Sequence, residues 1–140
     1  MTEITTMSHA EWQVMRIIWT LGQASSKQII EILERKTGWK AATVKTLMIR
    51  LQKKHFLQAD ETKRPYIYQP LIGEEQAIHE SVNELFDNLC CMQKGHAIND
   101  LIENSAISQT DIATLLQTLN QKAKTAPKEV DCDCLEANLK

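Results

Sequence analysis

The segment from Trp39 to Lys54 constrains the fold of this chain more than any other. It contains no Gly or Pro, and its apolar residues recur every three or four positions, which predicts a helix. At about 100° per residue, one face of that helix is apolar and should pack on a core. The residues of this face are Val44, Leu47, Met48 and Leu51.

The opposite face combines small, hydroxyl and cationic side chains and carries no acid. Small side chains permit close approach to DNA, while Lys and Arg meet phosphates and guanine edges, so such a helix suits the major groove. An ordinary solvated helix is the alternative. In the DNA-binding interpretation, Lys45 and Thr46 contact bases, and Arg50 and Lys53 contact base edges or phosphates. The candidate contacts on the helix are Ala42, Thr43, Lys45, Thr46, Arg50 and Lys53.

Charge is divided unevenly along the chain. Residues 1–70 carry 11 Lys and Arg against 6 Asp and Glu, whereas residues 71–140 carry 5 against 12. The basic excess is concentrated between residues 36 and 64, which hold 8 basic and 2 acidic residues. A net charge of −2 therefore does not exclude nucleic-acid binding, because the distribution of charge matters more than its sum.

Two helices are expected before the basic one. Ser8 to Glu11 fits a capping box, and the helix that it begins should end at Gly22. A second cap at Ser25–Gln28 begins another helix, which Thr37-Gly38 ends. Two short helices joined in this way, the later one basic, are typical of a helix-turn-helix.

A β-hairpin is expected after the basic helix. Two short alternating runs, at 56–59 and 66–70, flank a charged turn. A hairpin directly after a DNA-reading helix is the wing of a winged helix. Lys63 and Arg64 in the turn are therefore further candidate DNA contacts, with a solvated turn as the alternative for each.

The expected fold class is mainly α with a small β-hairpin, in three parts. They are a winged-helix DNA-binding domain at 1–70, a helical dimerisation region at 71–122 and a flexible, cysteine-containing, metal-binding tail at 123–140. An apolar stripe from Glu74 to Met92 predicts a long helix, Lys94-Gly95 interrupts, and two shorter helices follow. These helices are too small for a comfortable core of their own, so we expect them to pair between two chains. A three-helix subdomain packed on its own winged helix is the alternative.

Four cysteines invite a metal or redox interpretation. Cys132 and Cys134 form a Cys-x-Cys pair, and thiolates are soft ligands that suit Cu(I) and Zn(II). Cu(I) accepts two or three sulfurs, whereas Zn(II) prefers four, which two tails or this pair with Cys90-Cys91 could supply. Cys90 and Cys91 are expected near the end of the long helix, one of them packing as a small apolar residue. We therefore predict Cys132 and Cys134 as the metal ligands, with incidental thiols as the alternative.

Some functional classes receive no support from the sequence. It has neither a membrane-length apolar run nor a signal-peptide core, so we expect a cytoplasmic protein that binds no membrane. It also has no Ser/His/Asp set, glycine-rich phosphate loop or paired carboxylates, so we do not expect an enzyme.

The assembled segments resemble the penicillinase-repressor family of winged-helix repressors over about residues 8–120. The segments that carry the resemblance are 10–19, Gly22, 29–33, Trp39, 43–47 and 50–54. Within that family, the Cys-x-Cys tail resembles the copper-responsive CopY/CopR branch. The resemblance implies a homodimer that binds a double-stranded, inverted-repeat operator before copper-transport genes. It also implies that Zn(II) on tail cysteines acts as co-repressor and that Cu(I) displaces it and releases the DNA, with a copper chaperone as a further candidate partner.

The sequence departs from that branch at two points. The branch commonly has two Cys-x-Cys pairs separated by four residues, whereas no second pair follows Cys134 here. A four-thiolate site therefore cannot be built within one tail. The basic run of the family's reading helix often ends in Gly, whereas His55 occupies that position here.

Two other functions remain as alternatives. The first is a repressor inactivated by proteolysis at residues 98–104, with incidental tail thiols. The second is a small metal carrier or interaction protein, against which the basic amino-terminal half argues.

Overall fold

The computed structural model of the protein describes residues 6–136, which contain six helices and three short strands. In chain order these are α1 (His9–Leu21), β1 (Ala24–Ser25), α2 (Ser26–Thr37), α3 (Ala41–Lys53), β2 (Leu57–Asp60), β3 (Ile67–Pro70), α4 (Glu74–Asp87), α5 (Cys91–Asn104) and α6 (Gln109–Ala123). Helix-turn-helix and wing follow one another as the sequence predicts, so the winged-helix fold is confirmed.

The predicted caps of the first two helices are present. Ser8 and Glu11 form a reciprocal capping box at the start of α1, and Ser25 and Gln28 form another at the start of α2. Gly38 ends α2 in the left-handed conformation, with a φ of 78°, which costs glycine little because it has no Cβ.

Helix α3 begins two residues later than the sequence indicates. Lys40 is its N-cap residue, and Trp39 lies outside the helix. The amide of Trp39 donates a hydrogen bond of 3.2 Å to the Thr37 hydroxyl, and its half-buried side chain packs on the core. These contacts continue the turn that Gly38 begins, and the helix starts only after them.

The wing belongs to a three-stranded antiparallel sheet in the order β1-β3-β2. In the hairpin, Leu57 pairs with Pro70 and Asp60 with Ile67. On the other edge, Ser25 also pairs with Ile67. Strand β1 was not predicted from the sequence, because a two-residue strand is defined only by its distant partner.

The core of the amino-terminal unit, which extends to Val82, lies among α1, α2, α3 and the sheet. The predicted apolar face of α3 is buried there, and Leu51 and Val44 are fully enclosed. The Trp19 indole donates a hydrogen bond of 2.9 Å to the Ile72 carbonyl, which holds the start of the next connection against α1. Because the apolar face of α3 is buried in this core, its opposite face is exposed.

The long helix predicted from Glu74 to Met92 is wrong in its extent. Helix α4 ends at Asp87, Cys90 is the N-cap residue of α5, and α5 runs through Gly95 without a break. Cys90 and Cys91 therefore lie at the start of a helix and not at the end of one. This start is accompanied by a tertiary contact that the local sequence does not show. A side chain from the tail accepts a hydrogen bond from the first backbone amide of α5, as described below.

Helices α5 and α6 contain no buried residue. Large apolar side chains remain about half exposed along α4, α5 and α6: Ile78, Val82, Leu85, Met92, Ile98, Leu101, Ile112, Leu116 and Leu119. Within residues 6–136, no helix is long and apolar enough to cross a membrane.

Candidate nucleic-acid interface and metal centre

The α3 outer face consists of Ala42, Thr43, Lys45, Thr46, Ile49, Arg50 and Lys53, all of them exposed. It includes every helix position predicted to contact DNA. Among the described residues, no carboxylate lies within 4.0 Å of the Lys45, Arg50 or Lys53 cations. These three charges are therefore available to an anionic partner.

Thr46 uses its hydroxyl proton within the helix. Its Oγ1 donates a hydrogen bond of 3.0 Å to the Ala42 carbonyl. Facing a base edge, the hydroxyl can therefore act only as an acceptor, and the methyl group supplies apolar contact. An amino group of adenine or cytosine is the donor that fits this arrangement.

Ile49 adds an apolar group at the centre of the α3 outer face, where its side chain is 52% exposed. It lines a shallow cleft of about 200 Å³ together with Lys45 of the same helix and Tyr68 of β3. Ile49 was not among the residues predicted to contact DNA. An exposed apolar side chain among cations is the type of group that contacts a thymine methyl.

The turn of the wing, residues 61–66, carries the two other predicted DNA contacts, and both are exposed. Arg64 stacks over Tyr66, with its guanidinium carbon 4.7 Å from the ring centroid. The Lys63 ammonium lies 3.9 Å from an Asp60 carboxylate oxygen. Hydrogen bonds from the hydroxyl and amide of Thr62 hold the pKa of Asp60 below its usual value, so this acid stays ionised beside Lys63.

Lys54 is the one cation of the basic run that faces inward. Its ammonium donates hydrogen bonds to Oε1 of Glu11, at 2.7 Å, and to the Thr6 carbonyl, at 2.9 Å. Burial by itself raises the pKa of Glu11, but the hydrogen bonds from Lys54 and Ser8 outweigh it and lower that pKa. The ion pair joins the end of α3 to the start of α1 and adds no charge to the α3 outer face.

His55 lies at the position after the basic run where the family often has a glycine, and the backbone conformation there favours glycine. Its φ is 64°, in the left-handed region that residues with a Cβ rarely adopt. The amide of the next residue, Phe56, donates back to the Leu51 carbonyl and closes the end of α3. The chain turns here between α3 and β2.

Three cysteine sulfurs meet in the carboxy-terminal unit, which begins at Asn83. The Sγ atoms of Cys90, Cys132 and Cys134 all lie within 4.8 Å of one another, and those of Cys90 and Cys132 are 3.6 Å apart. Cys90 and Cys132 are half-buried, whereas Cys134 is exposed. We call these residues the cysteine triad. The structure thus brings the two predicted ligands together and adds Cys90, which was expected to lie near the end of a long helix.

Asp133 fastens the tail to the start of α5. Its Oδ1 accepts a hydrogen bond of 3.0 Å from the Cys91 amide, and its Oδ2 accepts one of 2.8 Å from the Cys91 thiol. These bonds lower the pKa of Asp133 and raise that of Cys91. Asp133 therefore caps α5, and Cys91 is drawn away from the triad.

The neighbouring thiols stabilise Cys134 in its protonated form. Hydrogen bonding with Cys132 and Cys90 raises the pKa of Cys134 to about 12. A bound cation reverses this preference, since metals bind thiolates and displace their protons. Three adjacent sulfurs form a soft, electron-rich site that suits Cu(I), whereas tetrahedral Zn(II) needs a fourth ligand.

Comparison with known proteins places these features in a family. The sequence matches the family described as Penicillinase repressor over residues 7–121, which includes the winged helix, α4, α5 and most of α6 but not the tail cysteines. An uncharacterised 16.5 kDa protein of Latilactobacillus sakei is 45% identical over 133 residues, covering 95% of this chain and 89% of that protein. The methicillin resistance regulatory protein MecI of Staphylococcus aureus is 29% identical over 116 residues, covering 83% and 94% respectively. A solved structure of a CopR repressor is 35% identical, covering 51% of this chain and 99% of that one, with a TM-score of 0.41.

Proposed function

The chain belongs to the penicillinase repressor family of winged-helix transcriptional repressors, and from this premise we propose that it is a copper-responsive member of that family. In this proposal it binds an inverted-repeat operator as a homodimer, Cu(I) releases it, and the genes that it controls serve copper transport. Membership of a repressor family also separates the chain from enzymes.

The DNA-binding part of the proposal rests on the α3 outer face. Its cations have no carboxylate partner among the described residues, and its small residues permit close approach to bases. Thr46 accepts from a base amino group, Ile49 contacts a thymine methyl, and Arg50 and Lys53 reach base edges or phosphates. Lys63 and Arg64 extend the contacts along the backbone from the wing.

The homodimer rests on the apolar side chains of α4 to α6. Leu85, Leu101 and Leu116 are each more than half exposed, and neither α5 nor α6 buries a residue within the chain. An apolar surface of this kind is typical of a protein–protein interface. A second copy would also supply the second reading helix that an inverted repeat requires.

Metal response is carried by a single observation, the convergence of the Cys132 and Cys134 sulfurs at one place in the carboxy-terminal unit. The two thiols predicted as ligands are close enough to share one ion, and the unit that holds them does not contain α3. A metal there can change DNA affinity only if it binds the free and DNA-competent dimers differently. Zn(II) would act as co-repressor where a fourth ligand completes its tetrahedron.

Proteolytic inactivation, the other trigger considered for a repressor of this fold, is the second candidate. Residues 98–104, where cleavage would fall, lie in the last turns of α5. Proteases cut extended backbone, so that helix would first have to open. The Cys-x-Cys tail has no role in this alternative.

The proposal is tested by fluorescence anisotropy on an inverted-repeat operator, which is first sought upstream of the gene. Anaerobic Cu(I) should lower the operator affinity of the full-length protein by about tenfold or more, within the usual range of allosteric coupling. The double variant Cys132→Ser/Cys134→Ser should bind the operator normally and ignore Cu(I). Normal copper release by that variant would overturn metal sensing through the tail.

A further inference from the structure

We propose that Cys90 is the third ligand of a Cu(I) site that is built within a single chain, with Cys132 and Cys134 as the other two. The proposal rests on the copper-responsive function above and specifies its site. It differs from a four-sulfur site bridging two tails, since each chain would hold its own ion.

The spacing of the triad already approaches that of three ligands around one metal. A zinc–thiolate bond is about 2.3 Å long, and bonds of similar length in a trigonal plane set sulfurs about 4 Å apart. The triad sulfurs lie within 4.8 Å of one another, and the Cys90–Cys132 pair is 3.6 Å apart. Only a small inward movement of the side chains is needed to enclose an ion.

The Cys90 sulfur contacts the tail cysteines and is not used to cap its own helix. Cys90 is the N-cap residue of α5, but its side chain makes no capping hydrogen bond. That capping role is taken by Asp133, which accepts from the Cys91 amide. Asp133 also separates Cys132 from Cys134, so its attachment to α5 sets both neighbouring thiols beside Cys90.

Cys91 is excluded from the site although it is adjacent to Cys90. Its thiol lies 2.8 Å from an Asp133 carboxylate oxygen and donates to it, and it is not a member of the triad. Cys91 thus serves to hold the tail, while Cys90 serves as a ligand. The two cysteines offer a matched pair of substitutions at adjacent positions.

Three thiolates within one chain favour Cu(I) over Zn(II). Cu(I) is satisfied by three soft sulfurs, whereas a structural Zn(II) site needs four ligands. On loading, each thiol gives its proton to solvent and forms one sulfur–copper bond, so the complex carries a net charge of −2. No oxidant or reductant takes part, because copper enters and stays as Cu(I).

The position of the site suggests how loading reaches the apolar surface. Cys90 lies in the short turn between α4 and α5, and the exposed residues Leu85 and Met92 flank that turn. A copper ion would fix the tail to this turn through three bonds. Loading therefore acts on the segment that carries part of the apolar surface assigned to pairing.

The experiment is an anaerobic titration of the full-length apo protein with Cu(I) against a chromophoric Cu(I) chelator, together with X-ray absorption at the copper edge. Wild type and the control Cys91→Ser, whose hydroxyl can still donate to Asp133, should bind one Cu(I) per chain through three sulfurs. Cys90→Ser and Cys90→Ala should bind at least about tenfold more weakly, through two sulfurs. Normal operator binding by each variant without copper verifies that it folds.

The failures of the two proposals are distinguishable. Unchanged affinity and a three-sulfur edge in both Cys90 variants would overturn the role of Cys90, while copper release of wild type from its operator would still stand. A copper-to-chain ratio of one half, with four sulfurs, would overturn the single-chain site in favour of a bridge. Operator binding by wild type that ignores Cu(I) would overturn the copper-responsive function itself.

Discussion

The Lys54 ammonium lies 2.7 Å from Oε1 of Glu11, which joins the end of α3 to the first turn of α1. The Glu11 side chain is only 2% exposed, whereas that of Lys54 is 30% exposed. The same carboxylate oxygen accepts a hydrogen bond of 3.0 Å from the Ser8 amide in the capping box. One buried carboxylate therefore caps the start of α1 and holds the end of α3 against it.

Substitution Lys54→Met should destabilise the amino-terminal unit by about 3 kcal/mol. The substitution keeps most of the side-chain volume but leaves the Glu11 charge buried without its cation, and breaking such a pair costs about 3–5 kcal/mol. We choose the lower end because Lys54 is partly exposed to solvent. Urea unfolding of the full-length protein, followed by tryptophan fluorescence, measures the change. Lys53→Met, one residue earlier and exposed, should shift stability by no more than about 0.5 kcal/mol.

The effect of Lys54→Met should shrink as the solution becomes acidic. The pKa of Glu11 is lowered from its usual 4.5, so in wild type its contribution is present above that value and lost as pH falls through the folded-state pKa. In the variant, the Lys54 contributions that lower the pKa are lost and only the hydrogen bonds from Ser8 oppose burial, so Glu11 takes up its proton at a higher pH than in wild type and its unpaired charge disappears. The difference in urea midpoint between wild type and Lys54→Met should therefore be smaller at pH 4 than at pH 7. An equal difference at both values would contradict the role of Glu11.

Substitution His55→Gly should stabilise the same unit by about 0.5–1 kcal/mol. A residue with a Cβ is destabilised by about 1–2 kcal/mol in the left-handed region, and glycine removes that cost. The net gain in stability is smaller, because glycine loses more backbone entropy on folding. His55 has a φ of 64° and is exposed, so its side chain loses little packing when removed. Thermal unfolding measures the gain. His55→Ala, which keeps the Cβ, should show none.

Lys53→Ala and Thr46→Ala should weaken operator binding in different ways. Lys53→Ala removes one phosphate-contacting cation and should lower affinity for operator and random DNA alike. It should also reduce the slope of log affinity against log salt concentration by about 0.9. Loss of the Thr46 hydroxyl acceptor should lower operator affinity by about 1 kcal/mol and random-DNA affinity little. Anisotropy at several salt concentrations separates the two. Thr114→Ala in α6, which removes a similar exposed hydroxyl bonded to its own helix, is the control.

Much of the amino-terminal unit could be predicted because its signals are local. The capping boxes at Ser8 and Ser25 and the burial of Leu51 on one face of α3 follow from the residue types at adjacent turns. The inward orientation of the Lys54 side chain could not be predicted from the sequence, because its partner Glu11 is 43 residues away. The basic run appeared to be one uniform surface, although one of its cations belongs to the interior.

Only two of the three residues of the cysteine triad could be predicted from the sequence. The Cys-x-Cys spacing is a local signal, and it identified Cys132 and Cys134. Cys90 was assigned to the end of a long helix because the apolar stripe continues past Asp87. The cap at the start of α5 comes from Asp133, which is 42 residues from Cys91 and which no local signal connects with it.

Asp133→Ala should weaken Cu(I) binding about tenfold without removing a ligand. Asp133 holds the tail against α5 through two hydrogen bonds to Cys91, and loss of a residue that orients metal ligands typically costs about 10–100-fold in affinity. The tail amides at 130–136 should at the same time exchange hydrogen faster in the apo protein. Asp131→Ala removes an acid of equal charge two residues earlier and should change neither quantity. Asp133→Asn keeps one oxygen for the Cys91 amide and should fall between wild type and the alanine variant. Equal losses in Asp131→Ala and Asp133→Ala would mean that tail charge, and not the cap on α5, attracts the metal.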